Sequence, residues 1–413
     1  MIKVNEIVEK VSWVATVFLL SSITIFESYT WGKYILILTS MIIFLLDIWG
    51  TRGRYYLSLN KYFYFILTLI IYSFMGIIWG INGSDCLTKA YTYLQILICM
   101  MILYQHFNHD NGVKQLLSIV KWSSYIISIY SIMYYGLDFI IKMITSGVRL
   151  ENSYTNINTI GMFAAIGIII QLDEMKKNHK FYVSTVFCVP AFMMVIATQS
   201  RKALLILIIG SVMVLIFRSV KKGRALLNIL KIIIIICGIF VVLKYASGLT
   251  IFSGINKRMN YIVAMFTGTG EIGQSALTRK KLINLGMEIF RKNPLVGVGM
   301  GCPRIIAKQV LNFDAYLHNN FIELLAAGGI IGFALYYIES YIYLFIEFYK
   351  LRNYKDENFI ICVILSIILL FRDYAMVSMY SKITFVYFLI FFLEIEKTKD
   401  RKRSYKGVKK NES

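Results

Sequence analysis

Long blocks of apolar residues, separated by short polar connections, dominate the chain. The segments 34–46, 62–81 and 232–243 contain no charged residue at all. A stretch of about 18 or more apolar residues is long enough to cross a bilayer as a helix. Helices satisfy their own backbone hydrogen bonds, which lipid cannot do for them. The pattern therefore predicts an all-α, polytopic integral membrane protein.

The apolar blocks predict about twelve transmembrane helices. The first block has no convincing small-residue cleavage site, so we interpret it as a span and not as a cleavable signal peptide. The predicted spans lie near residues 12–29, 34–50, 62–81, 87–104, 116–137, 157–172, 181–199, 202–218, 228–246, 319–349, 358–378 and 383–395.

The charge distribution predicts the orientation of these spans. The chain has 44 Lys and Arg against 23 Asp and Glu, a formal net charge of +21. If the N-terminus is cytoplasmic, the short basic segments and the tail 397–413 fall mainly inside, as the positive-inside rule requires. We therefore expect both termini in the cytoplasm and the protein in the cytoplasmic (inner) cell membrane. The basic excess then reflects Lys and Arg that are retained in cytoplasmic loops because they resist translocation. The lipid bilayer is an expected partner, and no nucleic-acid partner is expected.

One long connection divides the chain. Residues 247–317 join the ninth and tenth spans and are predicted to be extracytoplasmic, and loops of this length are commonly functional. The expected parts are thus spans one to nine (1–246), the long loop (247–317), spans ten to twelve (318–396) and a basic cytoplasmic tail (397–413).

Part of the long loop has helical periodicity. We predict an amphipathic helix that begins near Arg279, ends at Asn293-Pro294, and lies on or near the membrane surface. Its apolar face comprises Leu282, Leu285, Gly286, Ile289 and Phe290.

Three residues on the predicted outer side could carry chemistry. His318 is the only one of 4 histidines placed outside; it is either an ordinary interfacial residue or a general base. Arg201, in the tight turn 198–202, is either a snorkelling anchor or a bidentate phosphate ligand. Arg279 precedes Lys280 and Lys281, and it belongs either to a solvated basic face or, with Arg201, to an anion site.

The 6 cysteines show no metal-ligand spacing. Four lie inside apolar blocks, where cysteine behaves as a small hydrophobic residue. Cys86 and Cys302 are both predicted to face outward, which leaves a disulfide open. No acidic cluster on the predicted outer face suggests a metal site, and no cofactor is expected.

The order and spacing of these features resemble the O-antigen ligase and polymerase superfamily. The family's signature has an arginine, a helix, a Pro-Leu-x-Gly-x-Gly turn, and His-Asn before a glycine-bearing span. The corresponding residues here are Arg279, Pro294 to Gly299, His318-Asn319 and Gly329-Ile330-Ile331-Gly332. Earlier similarities are Ser200-Arg201, Arg149 and Asn156 to Gly161, so the resemblance covers roughly residues 149–332.

The chain departs from the family pattern at three positions. Ile283 stands where the family often has tryptophan, and Lys202 stands where a small residue is common. Ala327 occupies a frequently acidic position, while Glu323 lies one turn earlier.

The resemblance implies a glycosyl transfer from a polyprenyl-diphosphate-linked oligosaccharide, without a metal. His318 would be the catalytic base, and Arg201, Arg279 and Asn319 would bind substrate. We favour polymerisation of repeat units into capsular or O-antigen-type polysaccharide, with a chain-length regulator and a flippase as candidate partners. A ligase that transfers the finished glycan is the nearest alternative. A lipid-linked oligosaccharide flippase is the alternative from another class, but no internal repeat of the kind found in many transporters is visible.

Overall fold

The computed structural model describes residues 2–26, 32–51, 60–150, 154–178, 183–219, 248 and 274–411, and this part of the chain contains helices and no strand. The predicted all-α fold is confirmed. The α-helices are α1 (Ile2–Ile25), α2 (Gly32–Thr51), α3 (Lys61–Met75), α4 (Gly83–Phe107), α5 (Gly112–Tyr135), α6 (Leu137–Ser146), α7 (Ile157–Asn178), α8 (Cys188–Ala197), α9 (Arg201–Ser219), α10 (Gln274–Lys292), α11 (Pro303–Leu311), α12 (Asn320–Tyr337), α13 (Tyr343–Leu351), α14 (Phe359–Asp373) and α15 (Lys382–Asn411).

Several described helices are long and apolar enough to cross a membrane, as a multi-pass protein requires. Short apolar helices at Ile37–Gly50, Lys61–Met75 and Val183–Ala197 accompany them. The predicted ninth span, 228–246, lies outside the described residues, and the total of twelve spans stays a prediction. The six long candidates are Ile7–Ile25, Gly83–Phe107, Gly112–Tyr135, Ile157–Asn178, Arg201–Ser219 and Asn320–Leu351.

The chain forms two compact units. The first comprises Met1–Ile42 and Lys114–Gly273, and the second comprises Ile43–Val113 and Gln274–Ser413. In the first unit α7 packs against α8 and α9. Arg218 of α9 makes a bidentate ion pair with Asp173 of α7, with N–O distances of 2.7 and 2.8 Å. This pair leaves neither charge isolated where the two helices meet.

Aromatic side chains form the core of the second unit, where α3, α4 and α12 to α15 pack together. Phe65 of α3 stacks on Phe385 of α15 with ring centroids 5.9 Å apart, and it meets Tyr336 of α12 edge-on. The Tyr62 hydroxyl donates a 2.6 Å hydrogen bond to the Phe385 carbonyl. Buried aromatic pairs of this kind stabilise a core beyond the area they bury.

Some predicted helix bounds differ from the observed ones. The third helix ends at Met75 and not at 81, because a turn closed by Gly80 N–H to Gly76 O at 2.7 Å follows it. The helices α6 and α11 are short and were not predicted. The last helix does not end at 395: α15 continues to Asn411, and its polar extension is tied down by ion pairs such as Lys399 with Glu347 at 2.7 Å.

The amphipathic helix is observed as α10, and its predicted apolar face is correct. Leu282, Leu285 and Ile289 are buried, whereas Lys281 is exposed. This face does not rest on lipid, however. It joins a buried cluster with Val298, Cys302, Ala307, Leu317, Ala326 and Cys86. The apolar face of α10 is therefore covered by protein of the same unit.

The helix α12 is interrupted in its middle, which the sequence did not predict. Gly329 has φ 59° and ψ −162°, so the helical hydrogen bonds around it are lost. Neighbouring backbone replaces them: Val298 N–H donates to the Ala326 carbonyl at 3.0 Å. Gly299 N–H donates to the Ala327 carbonyl at 2.9 Å. Irregular backbone at membrane depth is tolerated where protein satisfies it in this way.

The backbone segment that contains Val298 and Gly299 also accepts hydrogen bonds from α12, from residues that follow the interruption. Ile330 N–H donates to the Pro294 carbonyl at 2.8 Å, and Ile331 N–H donates to the Leu295 carbonyl at 3.1 Å. We call residues 294–301 the glycine turn. The two lost helical bonds, from 330 to 326 and from 331 to 327, are thus each replaced by a pair of bonds to the glycine turn.

Candidate active site

His318 lies directly before α12, at the end of the connection from α11. It is half-buried, and its ring centroid is 6.4 Å from that of Phe313. Its φ of 57° is in the left-handed region, which is uncommon for a residue other than glycine. Such backbone conformations persist only where the surroundings impose them, and they cluster at functional sites.

Side-chain hydrogen bonds constrain the chain on both sides of His318. Asn319 is the N-cap of α12, and its side-chain oxygen accepts a 3.1 Å hydrogen bond from Ile322 N–H. Glu323, fully buried one turn into the helix, accepts a 2.8 Å bond from Leu317 N–H. His318 is therefore held between two residues whose backbone is fixed by side chains of the helix start. The structure shows the capping role of Asn319, and contact between Asn319 and substrate stays a prediction.

A buried polar network fixes the next residue, Asn320. Its side-chain oxygen accepts hydrogen bonds from the backbone of Ser378 at 2.9 Å and of Met379 at 3.0 Å. Its amide nitrogen donates to the Tyr337 hydroxyl at 3.0 Å and reaches Asp373 at 3.4 Å. Asn320 thus ties the start of α12 to the loop between α14 and α15.

Arg372 and Asp373 form the charged part of this network. Both are buried, and the Arg372 guanidinium lies 3.4 Å from Asp373 and donates to the Thr384 hydroxyl at 2.9 Å. Sequence reasoning missed this pair. The available signal was an arginine and an aspartate at the end of an apolar block, where ionisable residues usually serve function.

Arg279 lies near the start of α10. It is half-buried, unlike its neighbours Lys280 and Lys281, which are exposed. The helix packs close to the His318 segment: a Cβ added to Gly286 would lie 2.7 Å from Leu317 and 2.4 Å from Ile322. The structure therefore distinguishes Arg279 from the other two cations and places its helix against the start of α12.

Arg201 lies in the first unit, at the first position of α9. The preceding residues Thr198, Gln199 and Ser200 are buried, and Gln199 has φ 46°. The Ser200 hydroxyl accepts from Ala203 N–H at 3.4 Å. Backbone N–H groups at a helix start attract anions, and Arg201 adds a fixed positive charge there.

The polar entry to α7 lies beside this turn. Leu150 N–H donates to the Ala197 carbonyl at 3.4 Å, and Arg149 donates to the Asn158 side chain at 3.3 Å. Gly161 leaves room for Thr198, whose hydroxyl oxygen would lie 2.6 Å from a Cβ at that position. The first unit thus brings Arg149 and the Arg201 turn to the same end of α7.

Across the described ranges, no three His, Cys, Asp or Glu side chains are grouped so that they could hold a metal ion.

Fold and site together define an all-α, multi-pass membrane protein with a strained histidine at the start of an interrupted helix. Residues 186–337 match the family model described as O-antigen ligase. This segment contains Arg201, Arg279, the glycine turn and His318, and the match supports the resemblance to the O-antigen ligase and polymerase superfamily. No curated protein matches the chain.

Proposed function

We propose that the protein polymerises polyprenyl-diphosphate-linked oligosaccharide repeat units into capsular or O-antigen-type polysaccharide, on the outer face of the cytoplasmic membrane. The family match over residues 186–337 supports the ligase and polymerase class to which this proposal belongs, and it includes every residue that the sequence selected for chemistry. The same match supports an enzyme of the ligase and polymerase type acting on a lipid-linked glycan.

The reaction assigned to the site is a displacement at an anomeric carbon. A hydroxyl oxygen of the acceptor glycan attacks the anomeric carbon of the donor chain. The bond from that carbon to the diphosphate oxygen breaks, and the diphosphate leaves with the electron pair. His318 takes the proton of the attacking hydroxyl, a step that typically contributes roughly 10²–10⁴-fold to a rate.

The arginines act on the leaving group. Negative charge grows on the diphosphate as the bond breaks, and cations held in place stabilise such charge at no cost of reorganisation. Arg279, half-buried on the helix that packs against the start of α12, is assigned to this diphosphate. Arg201, in the first unit, keeps the role inferred from sequence, which is to bind a phosphate group of the donor through its planar fork.

A ligase is the second candidate, and the description of the matching family favours it. The two activities share a donor and differ in the acceptor. A polymerase joins one lipid-linked unit to another, whereas a ligase transfers the finished glycan to a different molecule.

Purified protein and a lipid-linked repeat unit test the proposal. A polymerase yields a ladder of products that remain linked to polyprenyl diphosphate. If repeat units stay unjoined until a second acceptor is added, the protein is a ligase. If no glycan is transferred under either condition by stably folded protein, the enzyme assignment is wrong.

A further inference from the structure

Lys89 of α4 is a cation that the sequence did not select. Its ammonium donates a 2.9 Å hydrogen bond to the Tyr316 hydroxyl, two residues before His318. It also lies over the ring of Tyr380, 4.5 Å from the centroid, and 5.3 Å from the centroid of Tyr316. Two aromatic rings thus hold the ammonium group of Lys89 next to the connection that leads into His318.

The glycine turn is shaped around this side chain. Gly301 has φ 84°, and a Cβ added there would lie 2.9 Å from Cε and 3.0 Å from Cγ of Lys89. Because Gly301 has no side chain, the aliphatic part of Lys89 has room to pass it and reach Tyr316 and Tyr380. Four separate segments of the second unit, around residues 89, 301, 316 and 380, combine to position one ammonium group.

Among the described residues Lys89 has no ion-pair partner at contact distance, although its charge also acts on the buried Glu323 side chain. Within the described residues no carboxylate lies within 4.0 Å of its ammonium, and its side chain is only half-buried. Other lysines of the chain do have acidic partners: Lys121 pairs with Glu174, and Lys399 with Glu347. Aromatic contacts favour a cation without cancelling its charge, so Lys89 can still attract an anion.

We propose that Lys89 binds the diphosphate group of the polyprenyl-linked donor and is a further substrate-binding residue of the His318 site. This inference rests on the proposed function. It adds a second cation, beside Arg279, within the unit that carries His318. A diphosphate carries enough negative charge to engage both.

The alternative is that Lys89 only anchors the Tyr316 segment. Two variants separate these roles. Lys89→Met removes the charge and keeps an unbranched side chain, whereas Tyr316→Phe removes the hydrogen bond but keeps the charge and both rings. Lys89→Arg restores a cation, and Lys308→Met, at an exposed lysine paired with Asp314, is the matched control.

The measurement is binding of sugar-free polyprenyl diphosphate to the purified full-length protein, with uncharged polyprenol as the neutral probe. Loss of a hydrogen bond to a charged group typically costs 1.5–3 kcal/mol, so Lys89→Met should weaken diphosphate binding by roughly 10- to 100-fold. Polyprenol binding should not change. Lys89→Arg, Tyr316→Phe and Lys308→Met should bind the diphosphate nearly as the wild type does.

Four results would overturn the inference. Wild-type affinity in a folded Lys89→Met variant would remove Lys89 from the site, and an equal loss in Tyr316→Phe would make its role structural. Displacement of the probe by excess anionic phospholipid would identify a headgroup site instead. If the stable wild-type protein binds no polyprenyl diphosphate, the proposed function fails together with this inference, whereas the first two results leave that function intact.

Discussion

The carboxylate of Glu323 accepts a 2.8 Å hydrogen bond from the backbone N–H of Leu317, the residue directly before His318. This bond reaches backwards across the start of α12 and fixes the chain on one side of the strained histidine. The second oxygen of Glu323, Oε1, is buried and has no hydrogen-bond partner among the described residues. The main structural effect of the Glu323 side chain is therefore its bond to Leu317, which positions His318.

We predict that Glu323→Ala lowers the rate of glycan transfer by roughly 10- to 100-fold, because it leaves the Leu317 amide unsatisfied at a cost of about 1–3 kcal/mol and releases His318. Glu323→Gln keeps a side-chain oxygen that accepts the same bond, so its rate should stay within a few-fold of wild type. Steady-state rates of both variants, with thermal unfolding as the check on folding, are the measurement. An Ala variant as active as wild type would refute the positioning role.

His318→Ala should lower the rate by roughly 10²–10⁴-fold and leave donor binding unchanged, because only the base is lost. The wild-type rate should also fall as pH is lowered through the range in which imidazole groups protonate, since the protonated ring cannot accept a proton. Rates and donor affinity across pH provide the measurement. His109→Ala, on the predicted cytoplasmic side, is the control, and full turnover by His318→Ala would exclude it as the base.

Arg279→Ala and Arg201→Ala should each abolish polymer formation in cells without lowering protein levels, because each removes a charged contact to phosphate. Lysine should restore either function poorly, since it lacks the bidentate fork. Lys280→Ala, which alters an exposed neighbour of Arg279, should produce normal polymer. Polymer of normal amount from either arginine variant would remove that residue from the site.

Gly297→Ala should destabilise the protein more than Gly136→Ala. Both glycines have positive φ, so both substitutions strain the backbone by roughly 1–2 kcal/mol. Only at Gly297 would the new Cβ also lie 2.5 Å from the carbonyl of Ala327, whereas at Gly136 nothing lies within 4 Å. Thermal unfolding of the two variants gives the comparison. Equal loss of stability would show that close contact between the glycine turn and α12 is unimportant.

Cys86 and Cys302 offer a test of topology. Their sulfur atoms lie 3.8 Å apart and both residues are buried, so a modest shift would allow the bond of about 2 Å that a disulfide requires. If this side faces the oxidising exterior, peptide mapping of protein from cells should find the two residues linked. The link should be absent in Cys86→Ser and present in Cys99→Ser, a buried cysteine of the same helix. Two free thiols would contradict an oxidised, outward-facing pair.

Sequence predicted those features of the fold that depend only on residues close together in the chain. The spacing of Leu282, Leu285 and Ile289 was enough to identify the buried face of α10. The His318-Asn319 pair likewise marked the start of α12, where Asn319 is the cap. These features need only a helix and a capping side chain, and both are visible in a short window of sequence.

Contacts between distant segments could not be predicted in the same way. Lys89 and Tyr316 are 227 residues apart, and nothing local to either indicates that they meet. The interruption at Gly329 is stabilised by backbone bonds to the glycine turn, which no side-chain pattern encodes. Sequence therefore selected the histidine and the arginines as candidate site residues, and it did not predict the distant contacts made by the His318 segment and α12.

The interruption of α12 also constrains how the chain is inserted into the membrane. A segment leaving the translocation machinery with exposed carbonyls at Ala326 and Ala327 would meet lipid with polar groups that lipid cannot satisfy. The partners of those groups lie upstream, in the glycine turn, and are therefore synthesised first. In the bilayer α12 can therefore take its interrupted form only together with the glycine turn, whereas without the turn a continuous helix would satisfy the same carbonyls.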